Sequence, residues 1–405
     1  MGGDEFVIIS IDKLFSILYN IYTMLKTFKY RLYPKKSDQT KMEHTLDICR
    51  LVYNTTIDIR KWAWEQNKIN VSYFKMANLL KPWKIQDPDL DTVHSQVLQD
   101  VMIRVDLAFK AFFKRVKRGD NPGYPRFRGK FRYDSFNYRQ SGFRLEKDST
   151  LYLSKIGRIP IVLHRPLAPG KMKNCTIQRT RTGKWYASIV VDTSRPKNLP
   201  KTGKIAGLDM GLKTFIMASD GHKIPRQRFF KTDERALARA QRKFSKFPRT
   251  IQSPEKNRAR RVVTRVHERI RNRRNDFCHQ TAKRLVHRYD FMAVEDLNVK
   301  GMLEQKKYSK SIADASWAQL LQRLSCKAEE AGKTVVAVDP RNTSQQCSQC
   351  LAIVPKDISV RVHSCPHCGL RIDRDLNASR NILRLGMQSV EYRDFVSNSI
   401  MVQDS

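Results

Sequence analysis

Two pairs of closely spaced cysteines near the C-terminus constrain this chain more than any other feature. Cys347 and Cys350 form one C-x-x-C pair, Cys365 and Cys368 form a second, and 14 residues separate the two pairs. Each pair can place two thiolates on one side of a metal, so two pairs complete a tetrahedron around zinc. Four thiolates leave no open coordination position, which indicates a structural site that contributes folding energy. A disulfide pair or a redox C-x-x-C is the alternative interpretation.

The other histidines and cysteines of interest are not expected to bind zinc. His363 and His367 lie inside the cysteine-rich segment, and we expect them on its surface or beside the ligands, since four cysteines already suffice. The remaining thiols are scattered, and burial without reactivity is their simplest interpretation: Cys49, Cys175, Cys278 and Cys326. Zinc-bound thiolates together with unpaired cysteines indicate a reducing, cytosolic compartment.

The charge balance of the chain is strongly basic, with 77 Lys and Arg against 39 Asp and Glu and a formal net charge of +38. Because the excess is spread along the whole chain, a basic tail does not explain it, whereas a polyanionic partner does. Composition alone does not separate DNA from RNA. Hydrophobic residues make up 40% and charged residues 29%, which is typical of a folded protein. The 405 residues leave room for two or three domains.

The first residues of the chain form an apolar run at 6–22 that Asp12 and Lys13 interrupt. The flank before it is acidic and no small-residue cleavage site follows, so we expect neither a signal peptide nor a membrane span. An ordinary domain begins at Met24, and residues 1–23 are predicted to be an N-terminal extension outside the folded core.

The N-terminal half begins with a predicted strand and then turns helical. Alternation predicts a strand at 25–33, and Ser37-Asp38 is predicted to cap the helix that follows. Helical periodicity returns at about 71–83 and at 94–117. The result is a small helical insert between strands.

A strand-rich region with glycines between the strands then runs from 143 to 193. It predicts a small antiparallel barrel that includes the first strand of the chain. A linker rich in Pro, Gly and Lys covers residues 195–203, which indicates a domain boundary near residue 200.

A segment between these regions, residues 121–140, interleaves aromatic and basic side chains. The candidate nucleic-acid contacts in it are Tyr124, Arg126, Phe127, Arg128, Lys130 and Arg132, and further aromatics follow at Phe131, Tyr133, Phe136 and Tyr138. Aromatic rings stack on bases and cations hold phosphates, so the composition suits nucleic acid. The alternative is a strand whose aromatic side chains enter the core, and both interpretations can hold at once.

The C-terminal half alternates strands with helices. Its predicted elements are a hairpin at 204–221, helices within 226–288, a buried strand at 291–297, a helix at about 312–331, a strand at 334–340 and a final helix at about 375–385. The stretch 226–288 contains 21 Lys and Arg against 5 Asp and Glu. Residues after Gly386 carry no pattern that predicts an element.

Three carboxylates stand out by their positions on this scaffold. Asp209 and Glu295 end predicted strands, and Asp375 opens the final helix. Each has a purely structural alternative as a loop or helix cap, and Asp296 and Asp373 compete for the same roles. Together, on a βα scaffold in a highly basic chain, Asp209, Glu295 and Asp375 are the preferred catalytic set.

Carboxylates that converge on one point repel each other unless a divalent cation neutralises them. Hard oxygen ligands favour Mg²⁺, with Mn²⁺ as a possible substitute. Two such ions about 4 Å apart suit in-line hydrolysis of a phosphodiester. We expect Asp209 to bridge both ions, with Glu295 and Asp375 one on each side.

Three motifs then resemble a known family. The runs GLDMGLKTFIMASDG and VEDLNVKGML, and the doubled C-x-x-C followed by DRDLNASRNIL, are similar to the three RuvC motifs and the zinc ribbon of the TnpB (OrfB) family. The opening LKTFKYRLYP, the segment PGYPRFRGKFRYDSF and the run HRPL also resemble that family. The resemblance covers about residue 24 to residue 385. The run CSQCLA departs from it, because it lacks the Gly that often follows the first cysteine pair.

The resemblance implies a multidomain α/β plus β fold. It implies a wedge-type β-barrel at 24–37 and 119–199, a helical recognition insert at 38–118, and an RNase H-like RuvC nuclease domain at 200–385 with a zinc ribbon at 341–371. The leader before Met24 is unusual for the family. Residues 1–23 and 386–405 lie outside the resemblance and are predicted to be an N-terminal extension and a C-terminal tail. It also implies that the family's acids fall on Asp209, Glu295 and Asp375 and its zinc ligands on the four cysteines.

The same resemblance implies an RNA-guided DNA endonuclease whose partners are a guide RNA from the transposon end and a double-stranded DNA target with a short adjacent motif. No membrane partner is expected, and the location would be cytoplasmic, at the nucleoid of a prokaryotic cell. A DDE transposase would order its acids Asp, Asp, Glu, whereas this chain runs Asp, Glu, Asp. Two non-enzymatic alternatives are an RNA-guided DNA-binding repressor and a zinc-ribbon RNA-binding protein. The repressor would be expected to have lost some of the catalytic acids, and the RNA-binding protein would not need them, whereas this chain has all three.

Overall fold

The structure is a computed structural model that describes residues 23–196, 198–248, 250, 253–304, 309–357 and 359–400. The predicted N-terminal extension lies outside the described residues except for its last residue, Thr23. The chain divides into two compact units, Met1–Arg195 and Pro196–Ser405. Each unit is described by itself.

The first unit contains seven strands and a helical region between the first and second of them. The strands are β1 (Thr23–Leu32), β2 (Ser135–Tyr138), β3 (Phe143–Leu145), β4 (Thr150–Leu153), β5 (Gly157–Val162), β6 (Lys171–Arg179) and β7 (Trp185–Ser194). The helices are α1 (Lys36–Asn67), α2 (Tyr73–Asn78), α3 (Leu80–Gln86), a 3-10 turn (Pro88–Thr92) and α4 (Ser95–Lys117).

The seven strands form one antiparallel sheet in the order β2-β6-β7-β1-β5-β4-β3. Its two edge strands are joined by residues 139–142 alone, so the sheet curls until its edges nearly meet. Alternate residues of β7, from Trp185 to Thr193, are buried. They share one apolar core with the inner faces of α1 and α4, which explains the period-two pattern of the sequence.

The predicted cap of α1 is wrong. The helix begins at Lys36, and the residue at its N-cap position, Lys35, makes no side-chain cap hydrogen bond. Ser37 and Asp38 therefore lie in the first turn, where the negative charge of Asp38 interacts favourably with the helix dipole. The same charge preference makes a first-turn acid resemble a cap in sequence.

The second unit contains a five-stranded sheet, a two-stranded hairpin and seven helices among its described residues. The strands are β8 (Ile205–Asp209), β9 (Thr214–Ala218), β10 (Lys223–Pro225), β11 (Phe291–Glu295), β12 (Thr334–Val338), β13 (Val362–Ser364) and β14 (Arg371–Asp373). The helices are α5 (Phe229–Ser245), α6 (Pro254–Arg288), α7 (Val299–Glu304), α8 (Ser309–Ala315), α9 (Trp317–Ala331), α10 (Arg374–Met387) and α11 (Val390–Ile400).

The five-stranded sheet has the order β10-β9-β8-β11-β12. The first three strands form an antiparallel meander, and β11 and β12 then add in parallel to β8. All five residues of β11 are buried, as expected of a strand covered on both faces. The parallel arrangement brings the carboxyl ends of β8 and β11 to the same edge of the sheet.

Helix α10 lies against this sheet at very close range, and two glycines permit the contact. A Cβ atom on Gly207 of β8 would lie 2.0 Å from the carbonyl oxygen of Ser379. A Cβ atom on Gly386 of α10 would lie 2.4 Å from the Cβ of Ala293 in β11. Both distances are below van der Waals contact, so any larger residue would push the helix, and the acid at its start, away from the strand ends.

The helix predicted at about 312–331 is interrupted. Ser316, with φ of 58°, separates α8 from α9. On one side of this break, the buried carboxylate of Asp314 accepts hydrogen bonds from Arg274 and from the backbone N–H of Phe230. On the other side, Trp317 is buried in the core. The left-handed backbone of Ser316 breaks the helix, and the apolar period of the sequence does not show this break.

The segment predicted to be a C-terminal tail, residues 386–405, includes helix α11. The rings of Tyr392 and Phe395 pack on Phe291, with centroid distances of 4.9 and 5.6 Å. The sequence predicted no element after Gly386, whereas the structure has a helix at Val390–Ile400. Among the described residues, no helix combines the length and the low polarity that crossing a bilayer would need.

A buried ion pair ties the start of the second unit to its sheet. Lys333 Nζ lies 2.5 Å from Asp290 Oδ1, and the two side chains are 2% and 4% exposed. Asp290 also accepts from the backbone N–H groups of Thr202 and Gly203, and Lys333 donates to the carbonyl of Pro200. We expect Lys333→Met to cost about 3–5 kcal/mol in urea denaturation, because the charge of Asp290 would stay buried without its partner.

The matched control for this substitution is Lys310→Met. Lys310 lies 3.9 Å from Glu234, and its side chain is 82% exposed. Losing such an exposed pair costs about 1 kcal/mol or less. Equal losses of unfolding free energy in the two variants would contradict the assigned role of the buried pair.

Candidate active site and cysteine cluster

Two of the predicted acids lie side by side at the edge of the five-stranded sheet. Asp209 is the last residue of β8, and Glu295 is the last residue of β11. The two strands are parallel neighbours, with Leu208 opposite Val294 in the register. Glu295 is 7% exposed. Both carboxyl groups are therefore positioned by the strands themselves, at one edge of the sheet, and not by a loop.

The third acid, Asp375, comes to this edge on helix α10. The N-cap of α10 is Asp373, whose carboxylate accepts hydrogen bonds from the backbone N–H groups of Asp375 and Leu376. The capping alternative for Asp375 is therefore wrong, and Asp373 has that role. A Cβ atom built on Gly211, just after β8, would lie 3.9 Å from Asp375 Oδ2.

The three carboxyl groups influence one another electrostatically. Burial raises the pKa of Asp209 well above its ordinary range, and the negative charges of Glu295 and Asp375 raise it further. Burial also raises the pKa of Glu295, which a hydrogen bond from Thr343 partly offsets. A bound divalent cation would stabilise the ionised forms that burial and mutual repulsion disfavour, so the donor set fits Mg²⁺ or Mn²⁺.

Two arginines near Asp375 neutralise part of this charge. Arg374 Nη2 lies 3.2 Å from Asp375 Oδ1, and Arg361 Nη1 lies 4.0 Å from the same oxygen. The charge of Arg374 also lowers the pKa of Asp209, against the larger opposing effects of burial and the acids. Neither arginine was identified from the sequence, because nothing in the pattern of Lys and Arg sets them apart.

Glu295 has a neutral partner as well. The hydroxyl of Thr343 lies 2.6 Å from Glu295 Oε1, and both side chains are buried. The carboxamide of Asn381 donates to the carbonyl oxygens of Thr343 and Gln346. Sequence reasoning missed Thr343 and Asn381, because only the fold brings them beside Glu295 and the turn that contains Gln346.

The four cysteines come together as predicted. Cys347 Sγ lies 3.6 Å from Cys368 Sγ, and Cys350 Sγ lies 3.5 Å from Cys365 Sγ. A tetrahedron with zinc–sulfur bonds of about 2.3 Å has edges of about 3.8 Å, so this spacing fits zinc. Among the described residues, the cysteines form the one group of three or more potential ligands whose ligand atoms all lie within 4.8 Å of one another. The carboxylate oxygens of the three acids are therefore more widely spaced.

The histidines of the cysteine-rich segment do not belong to this cluster. His367 is exposed, whereas His363 is fully buried in β13. The ammonium group of Lys356 contacts His363 Nδ1. A surface position, one of the two predicted for these histidines, is therefore wrong for His363.

The scattered cysteines follow the predicted burial with one exception. Cys49, Cys175 and Cys278 are buried, and Cys326 is exposed on α9. Burial raises the pKa of the Cys49 thiol to about 12 and that of Cys278 to about 11. Burial thus disfavours the reactive thiolate form of these thiols.

The aromatic and basic segment divides into two parts. Tyr133, Phe136 and Tyr138 are buried in the core of the first unit. The side chains before them are exposed, namely Tyr124, Arg126, Phe127, Arg128, Lys130, Phe131 and Arg132. The core interpretation thus applies to the second part, and the first part offers exposed rings and cations.

Two hydrogen bonds hold this exposed part against helix α1. The side chain of Asn54 accepts from the backbone N–H of Arg128 at 2.8 Å and donates to the carbonyl of the same residue at 3.1 Å. Arg115 on α4 donates to the carbonyl oxygen of Pro122. The backbone of the segment is anchored while its charged and aromatic side chains remain accessible.

Comparison with known proteins gives three family matches along the chain. Residues 188–306 match the OrfB_IS605 family, described as "Probable transposase". Residues 317–382 match the Cas12f1-like TNB domain, and residues 24–68 match the helix-turn-helix domain of OrfB_IS605 proteins. In the structure, the last of these ranges contains β1 and α1.

Relatives match over most of the chain. A candidate RNA-guided DNA endonuclease from Streptomyces pristinaespiralis is 33% identical over 370 residues, which covers 89% of each chain. The candidate RNA-guided DNA endonuclease InsQ of Escherichia coli K12 is 28% identical over 381 residues, covering 89% of this chain and 92% of InsQ. A solved Cas12f1–sgRNA–target DNA complex shares the fold, with a TM-score of 0.56 at 12% identity over 89% of this chain and 98% of that one. The chain belongs to the TnpB family.

Proposed function

We propose that this protein is an RNA-guided DNA endonuclease of a transposon. It would use a guide RNA from the transposon end and cut DNA beside a short adjacent motif. The observation that carries the proposal is the meeting of Asp209, Glu295 and Asp375 at one sheet edge in a chain of net charge +38. The names of the S. pristinaespiralis and E. coli relatives support the same activity.

We propose further that the second unit is an RNase H-like RuvC domain. Its strand order supports this, since an antiparallel meander is followed by two parallel strands, as in RNase H-like nucleases. The cysteine-rich residues 341–371 would form a zinc ribbon within it, because the sulfur spacing fits a tetrahedral metal. The near-closed sheet of the first unit would be the wedge-type domain, and α1 to α4 its recognition insert.

The three acids share one proposed role. Asp209, Glu295 and Asp375 would together hold Mg²⁺ through their carboxylate oxygens. When bound, the ions would supply charge stabilisation and an activated water for attack on phosphorus. Arg374 and Arg361 lie against Asp375 and would limit its repulsion of the DNA phosphate.

The basic surface suits a nucleic-acid partner whose sequence is recognised by base pairing with the guide RNA and not by contacts from the protein. A guide–target heteroduplex is held by its backbone, which calls for many cations and few base contacts. Helix α6 supplies exposed arginines for this purpose, among them Arg258, Arg261, Arg265 and Arg271. The exposed part of the segment before β2 would add stacking rings and cations, with Phe127 and Arg128 as examples.

A cleavage screen tests this function. The protein would be co-expressed with its transposon end and given plasmids that carry a guide-matched target beside randomised bases. We expect Mg²⁺-dependent cutting beside one enriched motif. Guide RNA that co-purifies without any cutting would favour a guided repressor, and absence of bound RNA would contradict the guided function as a whole.

A further inference from the structure

The catalytic edge and the cysteine cluster are connected by one short turn. Thr343 lies in this turn, between the end of β12 and Cys347, and is 4% exposed. Its hydroxyl lies 2.6 Å from Glu295 Oε1 and 3.0 Å from the carbonyl oxygen of Pro340. A hydroxyl has one hydrogen to donate, and the shorter contact has the length of a charge-assisted O–H···O⁻ bond.

The position of Thr343 is set by helix α10. Asn381 Nδ2 donates to Thr343 O at 2.9 Å and to Gln346 O at 2.7 Å. Asn377 Nδ2 donates to the same Gln346 carbonyl, and Asn377 Oδ1 accepts from the backbone N–H of Ser348. The turn is therefore clamped onto the helix that carries Asp375.

A carboxylate at a strand end needs such a constraint. The terminal torsion of a glutamate side chain has a broad energy minimum, so burial alone does not set the direction of its oxygens. A hydrogen bond to Oε1 selects one orientation and thereby directs Oε2. Groups that hold a ligand in this way typically change metal affinity or activity about 10–100-fold when removed.

We infer that Thr343 is a positioning residue for Glu295, and that α10 and the cysteine cluster together fix it in place. The inference rests on the proposed function, since Glu295 must be a ligand for its orientation to matter. It assigns to the cysteine-rich segment a role in ordering the catalytic edge, in addition to its own folding. A merely structural Thr343 would instead stabilise its turn through Pro340.

The test measures Mn²⁺ binding to the RNA-free full-length protein by calorimetry, together with the Mg²⁺ dependence of guided cutting. We expect Thr343→Val, which keeps the shape and removes the hydroxyl, to weaken Mn²⁺ binding about 10-fold or more. Thr343→Ser keeps the hydroxyl and should stay within about threefold of the wild type. Higher Mg²⁺ should partly restore cutting by Thr343→Val.

A second pair of variants controls for any effect of the valine side chain on the structure of the turn. Thr343→Ala and Thr343→Ser differ by the hydroxyl alone, so the ratio of their Mn²⁺ affinities reports its effect. Thr45→Val is the control, because Thr45 is also 4% exposed and its hydroxyl donates to a backbone carbonyl of its own helix. This control should bind Mn²⁺ like the wild type.

The outcomes separate this inference from the proposed function. If Asp209→Ala abolishes Mn²⁺ binding but Thr343→Val and Thr343→Ala bind like the wild type, the inference is overturned and the proposed function stands. A lower melting temperature with unchanged affinity leads to the same conclusion. If the wild type has no Mn²⁺ site that Asp209→Ala removes, the proposed site and this inference both fail.

Discussion

Asp209→Asn is expected to abolish cutting of guide-matched DNA while making the magnesium-free protein more stable. The substitution removes one of the proposed metal ligands, and metal-based charge stabilisation contributes several kcal/mol to such reactions. Each 1.36 kcal/mol is tenfold in rate, so the loss should be about 10³-fold or more. Binding of guide and target should remain, because it depends on the distributed positive charge.

The stability change follows from the raised pKa of Asp209. Burial, Glu295 and Asp375 raise it above its ordinary value of 3.8. Above that value the native state binds more protons than the unfolded chain, so the stability of the wild type falls as pH rises through the native pKa. Asparagine carries no charge and lacks this loss, which should make the variant more stable by about 0.5–2 kcal/mol at neutral pH.

Urea denaturation in magnesium-free buffer and a plasmid cleavage assay measure the two effects. The stability gap between variant and wild type should be larger at about pH 8 than at about pH 5. Asp296→Asn is the matched control, since Asp296 is an exposed acid next to Glu295. Loss of cutting in Asp296→Asn with cutting retained in Asp209→Asn would contradict the proposed catalytic set.

Cys365→Ser is expected to remove bound zinc and to unfold the cysteine-rich segment. Structural zinc contributes about 10–16 kcal/mol of binding free energy in small zinc domains, and that energy is available for folding. The hairpin of β13 and β14 has three residues in each strand, which is too little structure to persist alone. We expect zinc content to fall from about one ion per chain to none.

Limited proteolysis and cutting report the consequences of that loss. Cleavage by a protease should concentrate in residues 341–371, and DNA cutting should fall because Thr343 and Gln346 lose one of their supports. Cys326→Ser is the control, since Cys326 is exposed on α9 and is not one of the four clustered cysteines. One zinc ion per chain retained in Cys365→Ser would show that the four-cysteine assignment is wrong.

Local signals predicted local features well. Alternation at 25–33 located β1, and the buried strand predicted at 291–297 corresponds to β11. At two positions the local sequence pattern predicted the wrong structure. Ser37-Asp38 has the composition of a cap but lies in a first turn, and the left-handed backbone of Ser316 interrupts a helix that the sequence predicts to be continuous.

The sequence by itself determined the family, the cysteine spacing that fits zinc, the basic character of the chain and three acids at the ends of predicted elements. These features depend only on residue type and on spacing along the chain, so they can be recognised in the sequence before the fold is known. Only the tertiary structure decided that Asp373 caps α10, that Gly207 and Gly386 let this helix touch the sheet, and that Thr343 contacts Glu295. Such contacts join residues far apart in sequence, and close packing of a helix on a sheet determines which of them form.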